Sequence, residues 1–143
     1  MSERPIVIAG SGLAGWTVAR ELRALSSDRP ITLVTANSGD FYSKPMLSNA
    51  FAQGKSPANL LQATGAAQAA KYDVTLMANT TVTSIEAAQR TLQVGSTHLP
   101  YGDLVLALGA APVRLSLPGA ASICSVNDWW DYAAFRDRMS RAP

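Results

Sequence analysis

The sequence predicts an α/β fold, with a central parallel sheet, helices packed on it and a small antiparallel hairpin or meander layer. Three observations predict this. Short apolar runs without alternation recur at 6–9, 31–34 and 104–108, the pattern of strands buried on both faces of a parallel sheet. An amphipathic stretch separates the first two, so strand, helix and strand together take about 30 residues, the usual size of a βαβ unit. Two β-rich segments, 82–86 and 91–94, stand at hairpin spacing.

The elements follow in order. Ile6-Val7-Ile8-Ala9 is a strand ended by Gly10. Over 13–25, Ala14, Val18, Leu22 and Leu25 recur at helical spacing, with Arg20, Glu21 and Arg23 opposite. Ser26-Ser27-Asp28-Arg29-Pro30 reads as a loop, and Ile31-Thr32-Leu33-Val34 as the next strand. After a polar stretch at 37–42, Pro45 can open a short helix reaching Phe51. Ser56 can cap a further helix with Pro57 in its first turn, and alanines carry it to Tyr72. Val74-Thr75-Leu76-Met77 is a strand. The hairpin arms follow, and 99–101 can add a third arm. Leu104-Val105-Leu106-Ala107-Leu108 is a further buried strand, ended by Gly109. Asn127 precedes a helix from Trp129 toward Met139. No repeat, low-complexity linker or second domain is evident, so one domain over 1–143 is expected.

Composition removes several functions. The net charge of +2, from 12 basic and 10 acidic residues, is too balanced for a nucleic-acid footprint. A hydrophobic fraction of 48% argues for a folded chain. Charged residues make up only 15%, which fits either a surface covered by something else or dilution by alanine. One cysteine, Cys124, excludes an internal disulfide, a Cys-x-x-Cys pair and a cysteine zinc cage. One histidine, His98, leaves no histidine-rich metal site. The longest apolar run, 104–113, is interrupted by Gly109 and Pro112 and falls far short of the ~20 residues of a membrane helix. Met1-Ser2-Glu3-Arg4-Pro5 leads straight into a strand without the apolar core of a signal peptide, so a cytoplasmic protein is expected.

Most of the chemistry sits in Gly10-Ser11-Gly12-Leu13-Ala14-Gly15, a G-x-G-x-x-G run between a strand and a helix. In such a Rossmann-like turn the first glycine permits the tight bend. The second lets a pyrophosphate approach the backbone, and the third lets the helix pack closely. The helix N-terminus offers free N–H groups and partial positive charge to phosphates. The acidic residue expected about 20 residues on, for ribose hydroxyls, is missing. Thr35-Ala36-Asn37 stands there, and Thr35 or Asn37 could bond a ribose as neutral groups. The motif does not separate NAD from FAD.

Further segments carry a resemblance. Phe41-Tyr42-Ser43-Lys44-Pro45-Met46-Leu47-Ser48 resembles the Tyr-x-Arg/Lys-Pro-x-Leu-Ser segment of FAD-dependent, pyridine-nucleotide-linked reductases of the ferredoxin and rubredoxin reductase type. The stretch from Tyr101 through Leu104-Val105-Leu106-Ala107-Leu108-Gly109 to Pro112 is similar to a second segment of that family, and Thr80-Thr81-Val82-Thr83-Ser84-Ile85 to its adenine-side strand. The resemblance spans essentially the whole chain.

It implies a Rossmann-like FAD-binding domain, with Gly10, Ser11, Gly12, Leu13, Ala14 and Gly15 holding the FAD pyrophosphate. Thr35 and Ala36 would lie beside the adenosine ribose and Val82 would meet adenine through its backbone. Ala107 and Gly109 would pass close to the cofactor. Lys44 and Pro45 would face the flavin, with the Lys44 ammonium able to stabilise negative charge on its reduced form. NADH is the implied electron donor, and a rubredoxin- or ferredoxin-like iron protein the implied acceptor. No catalytic acid, base or nucleophile and no metal ligand is implied, nor a nucleic-acid or membrane partner. Leu108 stands where the family carries threonine, and the lack of a cysteine pair excludes the disulfide-reductase branches. The family's NAD-binding motif would follow residue 143, so the chain is expected to be the N-terminal part of a reductase and to hold FAD weakly alone.

Plainer readings stand beside these. Lys44 could be an ordinary loop lysine, Cys124 a small buried hydrophobe, and His98 a hairpin decoration. Trp129, Trp130, Tyr132 and Phe135 fit helix packing, and Arg136, Arg138 and Arg141 a solvated helix end. Asn79-Thr80-Thr81 matches a glycosylation sequon, which means little without a secretion signal. Two other functions stay open: a small NAD-binding dehydrogenase, although no Tyr-x-x-x-Lys pair is present, and a non-catalytic nucleotide-binding module.

Overall fold

The computed structural model describes residues 4–25 and 28–142. The start of the chain, Ser26 and Ser27 of the expected loop, and Pro143 lie outside the described residues. The chain divides into two compact units, one of Met1–Phe41 with Ala63–Gly109, the other of Tyr42–Gln62 with Ala110–Pro143.

The first unit is built on β1 (Ile6–Ala9), β2 (Ile31–Val34), β5 (Thr75–Met77) and β9 (Asp103–Leu106). They form a four-stranded sheet in the order β5-β2-β1-β9, and every pairing in it is parallel. Both faces of the central strands are covered, which explains their unalternating apolar runs. Ile8, Ile31 and Leu33 pack with Trp16 and Ala19 of α1 (Leu13–Ala24) and Ala69 of α4 (Gly65–Tyr72). Val7 and Val34 pack on the other side with Leu92, Val94 and Tyr101. Those residues belong to or flank the antiparallel meander β6 (Val82–Glu86), β7 (Thr91–Val94) and β8 (Thr97–Pro100). The expected third arm is therefore present, shifted toward the chain start, and Tyr101 leaves it to join the core.

Two expectations need correction. The run at 104–108 reads as a buried strand, but β9 is the edge of the sheet, and Leu106 and Leu108 are 56% and 69% exposed. An apolar run shows that a strand has high affinity for cover, not where it sits in the sheet. The helix expected from Pro57 to Tyr72 is broken. α3 (Pro57–Leu60) ends at Leu61, which turns extended, and β4 (Leu61–Ala63) follows before α4. Thr64 restarts the helix by accepting the Ala67 N–H on its side chain, a cap of the usual kind. β4 pairs with the short β3 (Phe41–Tyr42).

The second unit holds a 3-10 turn at Lys44–Met46, α2 (Leu47–Ala50), α3 and α5 (Trp129–Ser140). Leu47, Ala50, Leu60 and Tyr132 form its core, with Trp129 and Phe135 against it. Ser56 caps α3 in a full capping box with Asn59. Asp128 caps α5, accepting the Asp131 N–H on its side chain. Tyr132 donates to the Lys55 carbonyl at 2.7 Å, and the Trp129 indole to the Pro57 carbonyl at 2.8 Å. Trp129, Tyr132 and Phe135 are therefore packing residues, as one of the plainer readings has it, whereas Trp130 is exposed. Cys124, expected to be buried, is exposed and accepts a bond from Arg138; it lies in a run, 121–126, in which every residue is exposed.

Candidate dinucleotide-binding site

The G-x-G-x-x-G turn leaves the carboxyl end of β1, the central strand from which the sheet runs to β2 on one side and β9 on the other. Such a switch point is where parallel sheets hold ligands. The three glycines divide their work clearly. Gly10 has a φ of +111°, and a Cβ there would run into the Ala107 carbonyl oxygen. A Cβ on Gly15 would run into the carbonyl of Gly10, so this glycine lets α1 close onto the turn itself. Gly12 is different: its φ is −70°, and a Cβ on it would meet nothing within 4 Å. The fold itself places no demand on Gly12.

Gly12 is also the N-cap of α1 and makes no side-chain capping bond. α3, α4 and α5, by contrast, are each capped by a side chain, from Ser56, Thr64 and Asp128. The start of α1 is left open, bordered by exposed Leu13 and Ala14. An open helix N-terminus with its partial positive charge suits an anion.

Ser11 points the other way. Its side chain is buried, and its hydroxyl lies 2.8 Å from Thr35 Oγ1 and 3.1 Å from Asn37 Oδ1. Thr35 Oγ1 is 3.0 Å from the same Asn37 oxygen, to which the Gly39 N–H also donates at 2.9 Å. The hydroxyl of Thr35, expected beside the ribose, and that of Ser11, in the expected pyrophosphate turn, are thus committed to each other. Only their backbone faces remain for a ligand. Ala36 and Asn37 are exposed beside them. The convergence on Asn37 is not legible in the sequence, since its partners stand 26 and 2 residues away.

Neighbouring segments are tied to this corner. The Thr80 N–H donates to the Thr35 carbonyl and the Asn79 N–H to that of Asn37, each at 2.8 Å. This brings the start of β6 and its Val82 beside the end of β2. Val82 is half-buried against the cluster of Val7 and Val34. Ala107 donates its N–H to the Ala9 carbonyl at 2.8 Å, so its backbone lines the turn at Gly10. Gly109 follows with a φ of +70° in open space.

Lys44 and Pro45 belong to the second unit. Both line a cavity of about 510 Å³ with Ser48, Phe51, Asn127 and Phe135 on its walls. Nearby, the Tyr42 hydroxyl accepts the Trp129 N–H at 3.2 Å. Burial pushes the Tyr42 pKa above its ordinary value, the Trp129 bond opposes this, and the Asp128 and Asp131 carboxylates reinforce it. With its folded pKa raised, Tyr42 contributes stability that is complete below pH ~10 and is lost as pH rises beyond it. Denaturant midpoints measured from pH 9 to 11 should therefore fall further for the wild type than for Tyr42→Phe. Parallel curves would show that the phenol does not titrate against the fold. Among the described residues no group of three or more His, Cys, Asp or Glu could hold a metal, and no helix is long and apolar enough to cross a membrane.

The chain is 42% identical over 134 residues to a rubredoxin-NAD(+) reductase of Alcanivorax borkumensis, covering 92% of this chain and 35% of that protein. It is 36% identical over 139 residues to a nitric oxide reductase FlRd-NAD(+) reductase of Aeromonas hydrophila, covering 97% and 36%. A crystal structure of a ferredoxin reductase from Rhodopseudomonas palustris superposes with a TM-score of 0.84 at 29% identity, over 96% of this chain and 35% of the other. The chain thus spans about a third of the length of these relatives. The family model described as pyridine nucleotide-disulphide oxidoreductase matches residues 4–141. The chain belongs to the pyridine nucleotide-disulphide oxidoreductase family.

Proposed function

We propose that this chain is the FAD-binding part of an NADH-dependent flavoprotein reductase that passes electrons to a small iron carrier such as rubredoxin or a ferredoxin. The observation that carries the reading is the contrast among the three turn glycines. Gly10 and Gly15 are glycines because the backbone leaves no room, whereas Gly12 faces open space at an uncapped helix start. A glycine that the fold does not need, at the place where a pyrophosphate needs it, fits a dinucleotide. The names of the relatives support the donor and the acceptor.

The roles assigned are those of this chain's own groups. The backbone at Gly10–Gly15 and the start of α1 hold the pyrophosphate. Thr35, Ala36 and Val82 flank the adenosine through backbone atoms, and Ala107 and Gly109 border the cofactor. Lys44 and Pro45 face the flavin, where the ammonium supports negative charge on the reduced ring. Bound FAD would supply the two-electron acceptor for NADH and the one-electron donor for the carrier. The NAD-binding part and the remaining FAD contacts lie in the rest of the reductase, and the enzyme works in the cytoplasm, where NADH is at hand.

The test is anaerobic addition of NADH to the full protein, followed by oxidised rubredoxin. Bleaching of the flavin bands and their return on adding the carrier are the expected result. A protein that carries flavin yet ignores NADH would be a binding module instead. Lys44→Ala should make the flavin midpoint potential more negative by roughly 20–40 mV, a Coulombic loss of about 1–2 kcal/mol over two electrons. An unchanged potential would reduce Lys44 to a solvated surface charge.

A further inference from the structure

Outside the dinucleotide site, the first unit buries one polar side chain without answering it. Gln68 of α4 is 6% exposed, and its backbone N–H donates to the Thr64 carbonyl at 3.0 Å. Its side-chain amide has no hydrogen-bond partner among the described residues. A carboxamide carries two donors and an acceptor, and burying such a group without partners is costly. The side chain lines a cleft of about 70 Å³, whose other walls are Leu13, Trp16, Thr17 and Arg20 of α1 with Phe41 and Tyr72. All of these residues belong to the first unit.

The walls set the chemistry of what fills the cleft. Trp16, Phe41 and Tyr72 are aromatic, Leu13 is 56% exposed, and Arg20 is paired with Glu21 at 2.7 Å. A neutral group with an apolar flank suits such walls. The volume holds about two waters, which find few partners against aromatic rings, or the end of one side chain. A second amide answers Gln68 best, because it returns an acceptor for a donor and a donor for the acceptor. About two thirds of each relative lies outside the matched length, so a reductase of that size has ample further chain to cover α1 and α4. Resting on the reading of this chain as one part of such a reductase, we propose that the cleft is an intramolecular docking point. It receives a carboxamide or peptide group from the rest of the protein, which pairs with the Gln68 amide while its apolar flank lies on Leu13 and Trp16.

Two readouts on the full protein test this. The first places the photoreactive residue p-benzoylphenylalanine at position 20, on the cleft, where the Arg20 side chain is 55% exposed and the change spares the core. Irradiation and peptide mass spectrometry should find a cross-link to a segment outside residues 1–143 of the same chain. A cross-link confined to residues 1–143, one between two copies of the protein, or none at all overturns the inference. The second readout is the melting temperature of Gln68→Leu, which removes the amide at similar volume. A paired amide leaves its partner buried and unanswered when it is lost, so melting should fall by about 2–4 °C. An amide that faces only water is replaced at no cost, and an unchanged or raised melting temperature therefore also overturns the inference. A native protein whose intact mass is that of residues 1–143 alone overturns the reductase reading itself, and the inference with it.

Discussion

Gly12→Val is expected to abolish flavin binding and leave the fold in place. The separation of the two effects comes from the open space around Gly12, where an added Cβ meets nothing within 4 Å and φ is already −70°. Valine is a poorer N-cap than glycine by roughly 1 kcal/mol, too little to unfold a protein of ordinary stability. Toward a pyrophosphate the balance reverses. The branched side chain fills the volume that the phosphates need and displaces them from the backbone N–H groups. Losing two charge-assisted bonds at roughly 1.5–3 kcal/mol each weakens affinity at least about a hundredfold. Flavin absorbance per purified chain measures the loss, and circular dichroism on the flavin-free protein measures the fold. Flavin retained by a folded Gly12→Val variant would sink the dinucleotide assignment.

Gly15→Ala should do the reverse and damage the fold. Its Cβ would overlap the Gly10 carbonyl oxygen and lie 2.9 Å from the carbonyl carbon. Both belong to backbone, which has no flexible end to yield. Alanine is worth about 1 kcal/mol more than glycine in a helix, but overpacking against a rigid neighbour costs about 3 kcal/mol or more. The clash wins, with a net loss of about 2 kcal/mol and a melting temperature lower by roughly 5–10 °C. A variant that melts at or above the wild-type temperature would show that α1 can slide away from the turn at little cost. The same two residues thus separate what the turn does for the fold from what it does for a ligand.

How far each feature could be read depends on the range of the forces behind it. The βαβ start, the meander and the glycine turn are legible because strand burial, helical spacing and turn sterics act over a few residues. The break at 61–64 is not, because alanines favour a helix throughout. It is placed by distant groups: the Gly65 N–H donates to Asp40 Oδ1 at 2.8 Å, and Gly65 itself packs against the backbone of Ser38 and Gly39. The edge position of β9 is equally hidden, since sheet order is a matter of pairing and not of composition.

At the candidate site, the sequence alone determined that a phosphate-binding turn follows β1 and that no carboxylate ends β2. Both are statements about residue identity at short spacing. Which polar groups remain for a ligand was decided only by tertiary structure. Ser11 and Thr35 are 24 residues apart in the chain and 2.8 Å apart in the fold, and both buried hydroxyls lie within hydrogen-bond distance of the Asn37 oxygen. A buried hydroxyl must find a partner, and Ser11 and Thr35 meet that requirement in each other, between neighbouring strands that only the fold brings together.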